Sequence, residues 1–386
     1  MVRGSHVGRE AVKRLVLLGG GHAQVHVMKS LGDEPEPDIA TTLITPQPEQ
    51  VYSGMVPGFI AGHYELKECA IPLAPLAARA GTAIYWTTGA LVNPSMREVI
   101  CANGEVVPYD VLSVDVGSQP FVAGVKGVGE HAVAIRPLER FTQGWEIARS
   151  LAGEGSIRSI SVVGGGAAGV EVALAMDHRL RGEMGARAPH VRIVTDTPVV
   201  LPGFPEGARR RIVRILNARN VGSHVSCAVA QVGRDYLRLQ GGNEFASDAT
   251  FWAAGAGAPD WIRDSGFATD ARGFLAVNDF LQSRSHPEVF GTGDCATNID
   301  HPRAKSGVFA VRAGPALAAN LRAALRGEAL AAHVTRESFL VLLSAGDRYA
   351  VGAYGQFSWE GRWAWRLKDG IDRGFIARYA KPQAVP

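Results

Sequence analysis

The chain has 386 residues, 46% of them hydrophobic and 20% charged, with a formal net charge of +3. This composition fits a globular chain of two or three domains and excludes a disordered one, and so small a positive balance gives no argument for nucleic acid as a partner. No apolar run reaches the roughly 20 residues of a membrane span.

Residues 1–10 (MVRGSHVGRE) lack the apolar core of a signal peptide and read as an extension outside the fold. Four scattered cysteines, Cys69, Cys101, Cys227 and Cys295, form no CxxC pair. A disulfide framework and a metal site are therefore not expected, and a reducing cytoplasm is.

The first chemical signal is Leu15–Gln24, LVLLGGGHAQ. An apolar strand that runs through glycines into a helix gathers backbone N–H groups and the helix N-terminus at one point, which attracts a pyrophosphate. Gly19 and Gly21 take the first two places of G-x-G-x-x-G, His22 and Ala23 open the helix, and Gln24 stands where the third glycine is usual. A side chain there is expected to push the helix slightly off the strand. After the next strand, Thr45 occupies the usual place of an acidic ribose partner; its hydroxyl bonds a ribose less strongly than a carboxylate would. Tyr109–Pro120, YDVLSVDVGSQP, reads as a strand with a turn at Gly117 and a proline exit.

The plan then repeats. Ile160–Glu171, ISVVGGGAAGVE, carries Gly164, Gly166 and Gly169 in the full fingerprint, between a strand and a helix. A merely tight turn is the alternative. In VRIVTDTP, Thr195 takes the ribose position and Asp196 follows it. An acid there repels a 2′-phosphate and no Arg stands beside it, so NADH is preferred over NADPH. Ala249–Pro259, ATFWAAGAGAP, is again a strand, with a turn at Gly255. Two such units predict two nucleotides.

In Pro287–Thr297, PEVFGTGDCAT, a strand ends at Gly293–Asp294. An Asp just past a strand's carboxyl end points into the ligand crevice of such sheets, where it accepts a bond from a sugar-chain hydroxyl; a turn cap is the alternative. Lys305–Gly307 opens the helix VFAVRAGPALAANLRAAL, whose N-terminus carries a partial positive charge. Further on, Phe339–Ser344 and Arg348–Tyr354 predict two strands around a turn at Ala345–Asp347. Trp363, Leu367, Ile371 and Phe375 recur at the spacing of one helix face, although Gly370 and Gly374 weaken that helix. Arg362, Arg366, Lys368, Arg373, Arg378 and Lys381 make the segment basic, and Trp359, Trp363 and Trp365 add anchors. Such a helix suits a membrane interface. Packing on the body or on a dimer partner is the alternative.

The order GGGHAQ, YSGMVPG, DVGSQP, GGGAAGVE, AAGAGAP, GTGDCAT resembles the pyridine nucleotide-disulfide oxidoreductase superfamily of two-dinucleotide-binding flavoproteins. The stretches LLGGGHAQVHVMK, VYSGMVPGFIAGHY, KSGVFAVRAGPALAANLRAAL and GRWAWRLKDGIDRGFIARY resemble one branch, similar to type II NADH dehydrogenases and often joined to the N-terminus of selenide, water dikinase. Kinase activity is not carried over. The resemblance implies an α/β fold of two Rossmann-like, three-layer dinucleotide-binding domains, the second inserted in the first. Residues 13–120 and 256–330 would hold FAD, residues 121–255 NAD(P)H, and residues 331–386 would form a small C-terminal α+β segment with a hairpin and the basic Trp-rich helix.

By the same resemblance, Gly19, Gly21, His22 and Ala23 hold the pyrophosphate of non-covalent FAD, with Thr45, Gly117, Gly293 and Gly307 around it and Asp294 on the ribityl chain. Tyr52, Ser53 and Gly54 pass near the isoalloxazine. Gly164, Gly166, Gly169, Asp196 and Gly255 serve the nicotinamide nucleotide. The implied activity is hydride transfer from NAD(P)H to flavin, then electron transfer to a quinone-like acceptor. Glu171, one turn into its helix, and Lys305 are the catalytic candidates; for Glu171 a helix-cap role is the alternative. The redox CxxxxC is missing, so dithiol chemistry is not expected. Two other readings stand: a sulfide- or selenium-handling flavoenzyme that uses Cys295, and a non-catalytic flavin-containing partner protein in selenium metabolism. The first lacks a second thiol in Ser150–Gly164, and Cys295 reads equally as a small core residue. The expected place is the cytoplasm, or the inner face of the membrane if the tail binds lipid. A homodimer is left open.

Overall fold

The computed structural model describes residues 12–122, 124–333 and 339–380. Lys381 of the basic tail lies outside the described residues. The chain opens with β1 (Lys13–Leu18), α1 (His22–Asp33), β2 (Ile39–Ile44), β3 (Ala83–Tyr85) and β4 (Val111–Val114), then crosses over on β5 (Gln119–Pro120). A second unit follows: β6 (Ala132–Ala134), α2 (Leu138–Gly153), β7 (Ser159–Val163), α3 (Ala167–Met184), β8 (His190–Val194), α4 (Glu206–Ala218), β9 (Gly222–His224) and β10 (Ala249–Trp252). The return strand β11 (Ala256–Gly257) pairs antiparallel with β5, so both crossings form one ribbon. The chain then completes the first unit with β12 (Val289–Gly291) and α5 (Gly307–Arg326).

Each unit is built on a five-stranded parallel sheet. The first runs β12-β4-β1-β2-β3 and the second β6-β10-β7-β8-β9; four strands, β4-β1-β2-β3 and β10-β7-β8-β9, share one order, while the edge strand beside them comes last in the first unit and first in the second. In both, the strand order reverses beside the strand that carries the glycine turn. Ligands of open α/β sheets bind at that switch point.

The apolar runs read in the sequence are continuous because these strands are buried on both faces. Leu15 and Leu17 of β1 pack with α1 and α5, and Val16 and Leu18 pack on Val92, Val99 and Val107 of an antiparallel meander over residues 89–108. The second unit repeats the arrangement. Ile160 and Val162 face Trp145 and Val170, while Val163 faces Val232 and Leu237 of a meander over residues 229–246. Burying each such side chain contributes about 1.5–3 kcal/mol.

The tail differs from the expectation in three respects. The two expected strands, β13 (Val341–Ser344) and β14 (Ala350–Tyr354), are joined by a third, β15 (Phe357–Gly361). Trp359 therefore sits on a strand, and the helix α6 begins at Arg362 (Arg362–Ala380). The expected helix face also splits. Four-residue steps drift by about 40° around a helix of 3.6 residues per turn, so the stripe does not stay on one side. Phe375 is buried, whereas Trp363, Leu367 and Ile371 are 55%, 43% and 47% exposed. Finally, the tail is not separable. Leu343 and Val351 enter the core of the second unit, and Phe375 and Tyr379 enter that of the first.

Candidate active site

The two glycine turns superimpose in role. Gly19 and Gly164 both take positive φ, +97° and +125°, and donate to the end of the neighbouring strand, at Ile44 and Val194. A Cβ on Gly164 would lie 2.7 Å from the backbone of Ala253, and one on Gly19 would overlap the backbone of Asp115. Thr45 and Thr195 are buried at matching positions. A Cβ on Gly20 would meet the Thr45 hydroxyl at 3.3 Å, and one on Gly165 would meet Thr195 at 2.9 Å. The hydroxyls serve their own loops, Thr45 accepting from the Gln47 N–H and Thr195 bonding Thr197. Asp196 stands exposed just past β8.

The turns part company at the next two glycines. A Cβ on Gly166 would meet nothing within 4 Å, so the backbone there faces open space, as close approach of a phosphate requires. A Cβ on Gly169 would overlap the Gly164 carbonyl, which explains that glycine by helix–turn packing. In the first unit the third-glycine place is filled. Gln24 is fully buried, and its amide donates to the Ser113 carbonyl at 2.7 Å. The side chain is taken up as a bridge to β4. Gly21 faces not open space but the carboxylate of Asp115, whose Oδ2 accepts from the Ala23 N–H at 3.0 Å.

Around the first crevice, His22 keeps a buried Nε2 with no partner. Burial pushes that imidazole down to about 4, so it is neutral near pH 7. Gly117, at φ +72°, borders open space. Gly293 precedes Asp294, and Asp294 forms an ion pair with Arg136 at 2.8 Å. Arg136 follows β6 in the second unit and also donates to Ser118, so it links the two units. Sequence reasoning missed it, since a lone Arg outside every motif gives no signal. A carboxylate has further acceptor positions for a sugar hydroxyl. A cavity of about 90 Å³ opens among Asp294, Thr297, Lys305 and Ser306 at the start of α5. An orphaned buried nitrogen, an open glycine turn and a carboxylate past a strand end fit a dinucleotide. On the other side of the ribbon, Gly255 takes positive φ beside Phe121.

The candidate Lys305 lines this cavity with its ammonium already engaged. Its ammonium donates to the Ala296 carbonyl and the Thr297 hydroxyl and lies 3.9 Å over the Phe274 ring. Burial lowers its pKa. Lys305 thus ties down the loop before α5.

The segment Tyr52–Gly54 meets α6. Tyr52 stacks on Phe375 at 4.3 Å, Lys368 donates to the Gly54 carbonyl at 2.6 Å, and a Cβ on Gly307 would approach the Ser53 hydroxyl at 2.7 Å. Burial and then Asp372 raise the pKa of Tyr52. Glu171 belongs to the same group. Its carboxylate accepts from the Ser344 N–H at 2.7 Å. Desolvation pushes it up to about 7 against the pull of Lys368 and that N–H. Lys368 and Asp372 were not expected as site residues. Their signal was an i,i+4 pair of opposite charges on an otherwise basic helix.

Neither Cys295 nor Cys69 offers the reactive thiolate that the sulfur chemistry needs. Cys295 is buried with its thiol against the Thr292 carbonyl, and burial pushes it up to about 12. Cys69 behaves alike. No group of residues that could hold a metal occurs among the described residues.

A family model described as pyridine nucleotide-disulphide oxidoreductase matches residues 13–318. A probable NADH dehydrogenase of Dictyostelium discoideum is 23% identical over 315 residues, 75% of this chain and 68% of that one. An internal alternative NAD(P)H-ubiquinone oxidoreductase of Arabidopsis thaliana is 24% identical over 321 residues, 74% of this chain and 62% of that one. The chain thus spans roughly two thirds of these relatives. Two solved structures share the fold: the sulfide:quinone oxidoreductase of Aquifex aeolicus (TM-score 0.82, 20% identity, 97% of this chain and 93% of that one) and an NDH2 of Plasmodium falciparum in complex with NADH (TM-score 0.78, 13% identity, 96% and 99%).

Proposed function

We propose that this chain, which belongs to the pyridine nucleotide-disulphide oxidoreductase family, is a flavoprotein that oxidises NAD(P)H, NADH by preference, and passes the electrons to a quinone-like acceptor. The observation that carries the reading is the duplication: two parallel sheets that share the order of four strands, each with a glycine turn at its switch point. Non-covalent FAD belongs to the first unit and the nicotinamide nucleotide to the second. When bound, FAD would supply the chemistry of hydride acceptance and onward electron transfer.

The chain's residues bind, orient and handle protons. Gly164, Gly166 and the start of α3 receive one pyrophosphate, while Asp196 disfavours a 2′-phosphate. Gly19, Gly21, His22 and Ala23 receive the other, with Asp294 on the sugar chain. The α5 N-terminus at Gly307 offers partial positive charge to a reduced ring. Tyr52–Gly54, held by Phe375 and Lys368, forms one wall of the acceptor side. Quinone reduction consumes protons, and Glu171, with a pKa near neutrality, suits their delivery.

Names of relatives support a quinone acceptor: one is an NAD(P)H-ubiquinone oxidoreductase. The sulfide reading is disfavoured by the buried thiol of Cys295. A tie to selenium metabolism rests on the sequence resemblance alone. No described helix is long and apolar enough to cross a membrane. The exposed Trp363, Leu367 and Ile371 beside Arg362 and Arg366 support attachment to a membrane surface.

The test is the absorbance of the purified protein before and after anaerobic NADH. A flavin band that NADH bleaches, and that a quinone restores, is expected. A colourless protein that takes up no FAD would overturn the reading.

A further inference from the structure

Asp115 follows β4 and is 3% exposed. Its carboxylate caps α1 through the Ala23 N–H at 3.0 Å and also meets the Gln24 N–H. Three glycines enclose it. A Cβ on Gly21 or Gly293 would overlap its carboxylate, and one on Gly19 its backbone carbonyl. The first motif therefore differs from the second, where Gly166 faces open space. The chain has set its own acid on the helix N-terminus that the motif reserves for a phosphate.

The charged and titratable neighbours are few. From α1 comes His22, which is neutral at pH 7. From the turn before α5 come Asp294, whose charge disfavours ionisation of Asp115, and Cys295, a neutral thiol. Arg136 is bound to Asp294, and Lys305 is bound to residues 296–297. No cation bonds the Asp115 carboxylate among the described hydrogen bonds and ion pairs. A pyrophosphate brought to this helix end therefore places further negative charge against an enclosed carboxyl.

We propose that Asp115 is a cofactor-site residue whose carboxyl must carry a proton for a dinucleotide pyrophosphate to share the α1 N-terminus, so that FAD binding takes up one proton from solvent. The inference rests on the assignment of FAD to the first unit. A neutral carboxyl keeps one oxygen as acceptor for the Ala23 N–H and offers its O–H to a phosphate oxygen. Burial, above all other causes, already raises the carboxyl of the protein without flavin to about 7. Below that pH the proton is in place before binding. Above it, binding must recruit the proton, and affinity falls by about tenfold per pH unit.

The experiment is FAD titration of flavin-stripped protein by fluorescence quenching between about pH 6 and 9, with calorimetry in buffers of different ionisation heat. The expected result is a dissociation constant flat below about pH 7 and rising about tenfold per unit above it, with proton uptake approaching one. Asp115→Asn, which retains shape, acceptor and a donor, should bind FAD with no such slope. Wild-type binding that is tight, pH-independent and without proton uptake overturns the inference while leaving FAD in place. An identical slope in Asp115→Asn also overturns it. Failure to bind FAD at any pH would instead overturn the cofactor assignment, and the inference with it.

Discussion

Lys368 of α6 donates to the Gly54 carbonyl at 2.6 Å and pairs with Asp372 at the same distance. The C-terminal helix is thereby bolted to the Tyr52–Gly54 segment by a nearly buried ion pair. Removing one partner leaves the other charge buried, a cost of about 3–5 kcal/mol, whereas replacing both by apolar groups is often close to neutral. Lys368→Met should lower the urea stability accordingly, and the double variant Lys368→Met, Asp372→Leu should recover most of it. If the single variant unfolds at the wild-type urea concentration, the pair is not a clamp.

A second prediction concerns pH. Glu171 titrates near 7 in the folded chain and at 4.5 as a free side chain. A raised carboxyl pKa means that the folded state binds more protons, so its contribution is fully present below about pH 4.5 and is lost as pH rises through about 7. The size is on the order of 3 kcal/mol. Glu171→Gln should flatten the fall in urea midpoint between pH 5 and pH 7.5 without lowering flavin content. Quinone reduction by the variant should lose the ionisation near neutrality from its pH profile.

The two glycines of the second turn should separate binding from folding. A side chain at Gly166 enters open space, so Gly166→Val should leave stability and FAD content near wild type while abolishing reduction by NADH. At Gly169 even one methyl group overlaps the Gly164 carbonyl. Gly169→Ala should therefore destabilise by about 1–3 kcal/mol. Thermal melts and NADH titrations of both variants decide this, and equal melting losses would contradict it.

The parallel sheets and glycine turns were legible because they are local: an apolar run, a turn and a helix lie within about 20 residues of one another. Contacts made across hundreds of residues were not. Nothing near Asp294 in sequence announces Arg136, which arrives from the second unit. Asp115, inside the stretch YDVLSVDVGSQP, was not singled out, because the Ala23 N–H that it accepts from sits 92 residues earlier. At Gly21 the motif reads the same whether or not the chain's own carboxylate stands against the turn, so the contact with Asp115 left no mark in the sequence. In the tail, Trp359 was taken into the helix because a short strand of five residues beside a tryptophan-rich helix leaves no periodicity of its own.

The exposed stripe of α6 gives the last prediction. Trp363, Leu367 and Ile371 lie one turn apart and face solvent, with Phe357 nearby in sequence and 77% exposed. Arg362 and Arg366 are exposed on the same stretch. An apolar stripe with basic flanks matches the boundary of an anionic bilayer, where the ring and aliphatic groups enter the acyl region and the guanidinium groups meet headgroups. Deleting the tail is a poor test, because Phe375 and Tyr379 belong to the core of the first unit and their loss would unfold it. The triple variant Trp363→Ser, Leu367→Ser, Ile371→Ser changes half-exposed side chains that belong to none of the buried core clusters. It should keep its flavin and its reduction by NADH, lose co-sedimentation with vesicles containing anionic phospholipid, and reduce a water-soluble quinone as before while slowing on a membrane-bound one. Equal sedimentation of variant and wild type would leave the stripe without a role at the bilayer.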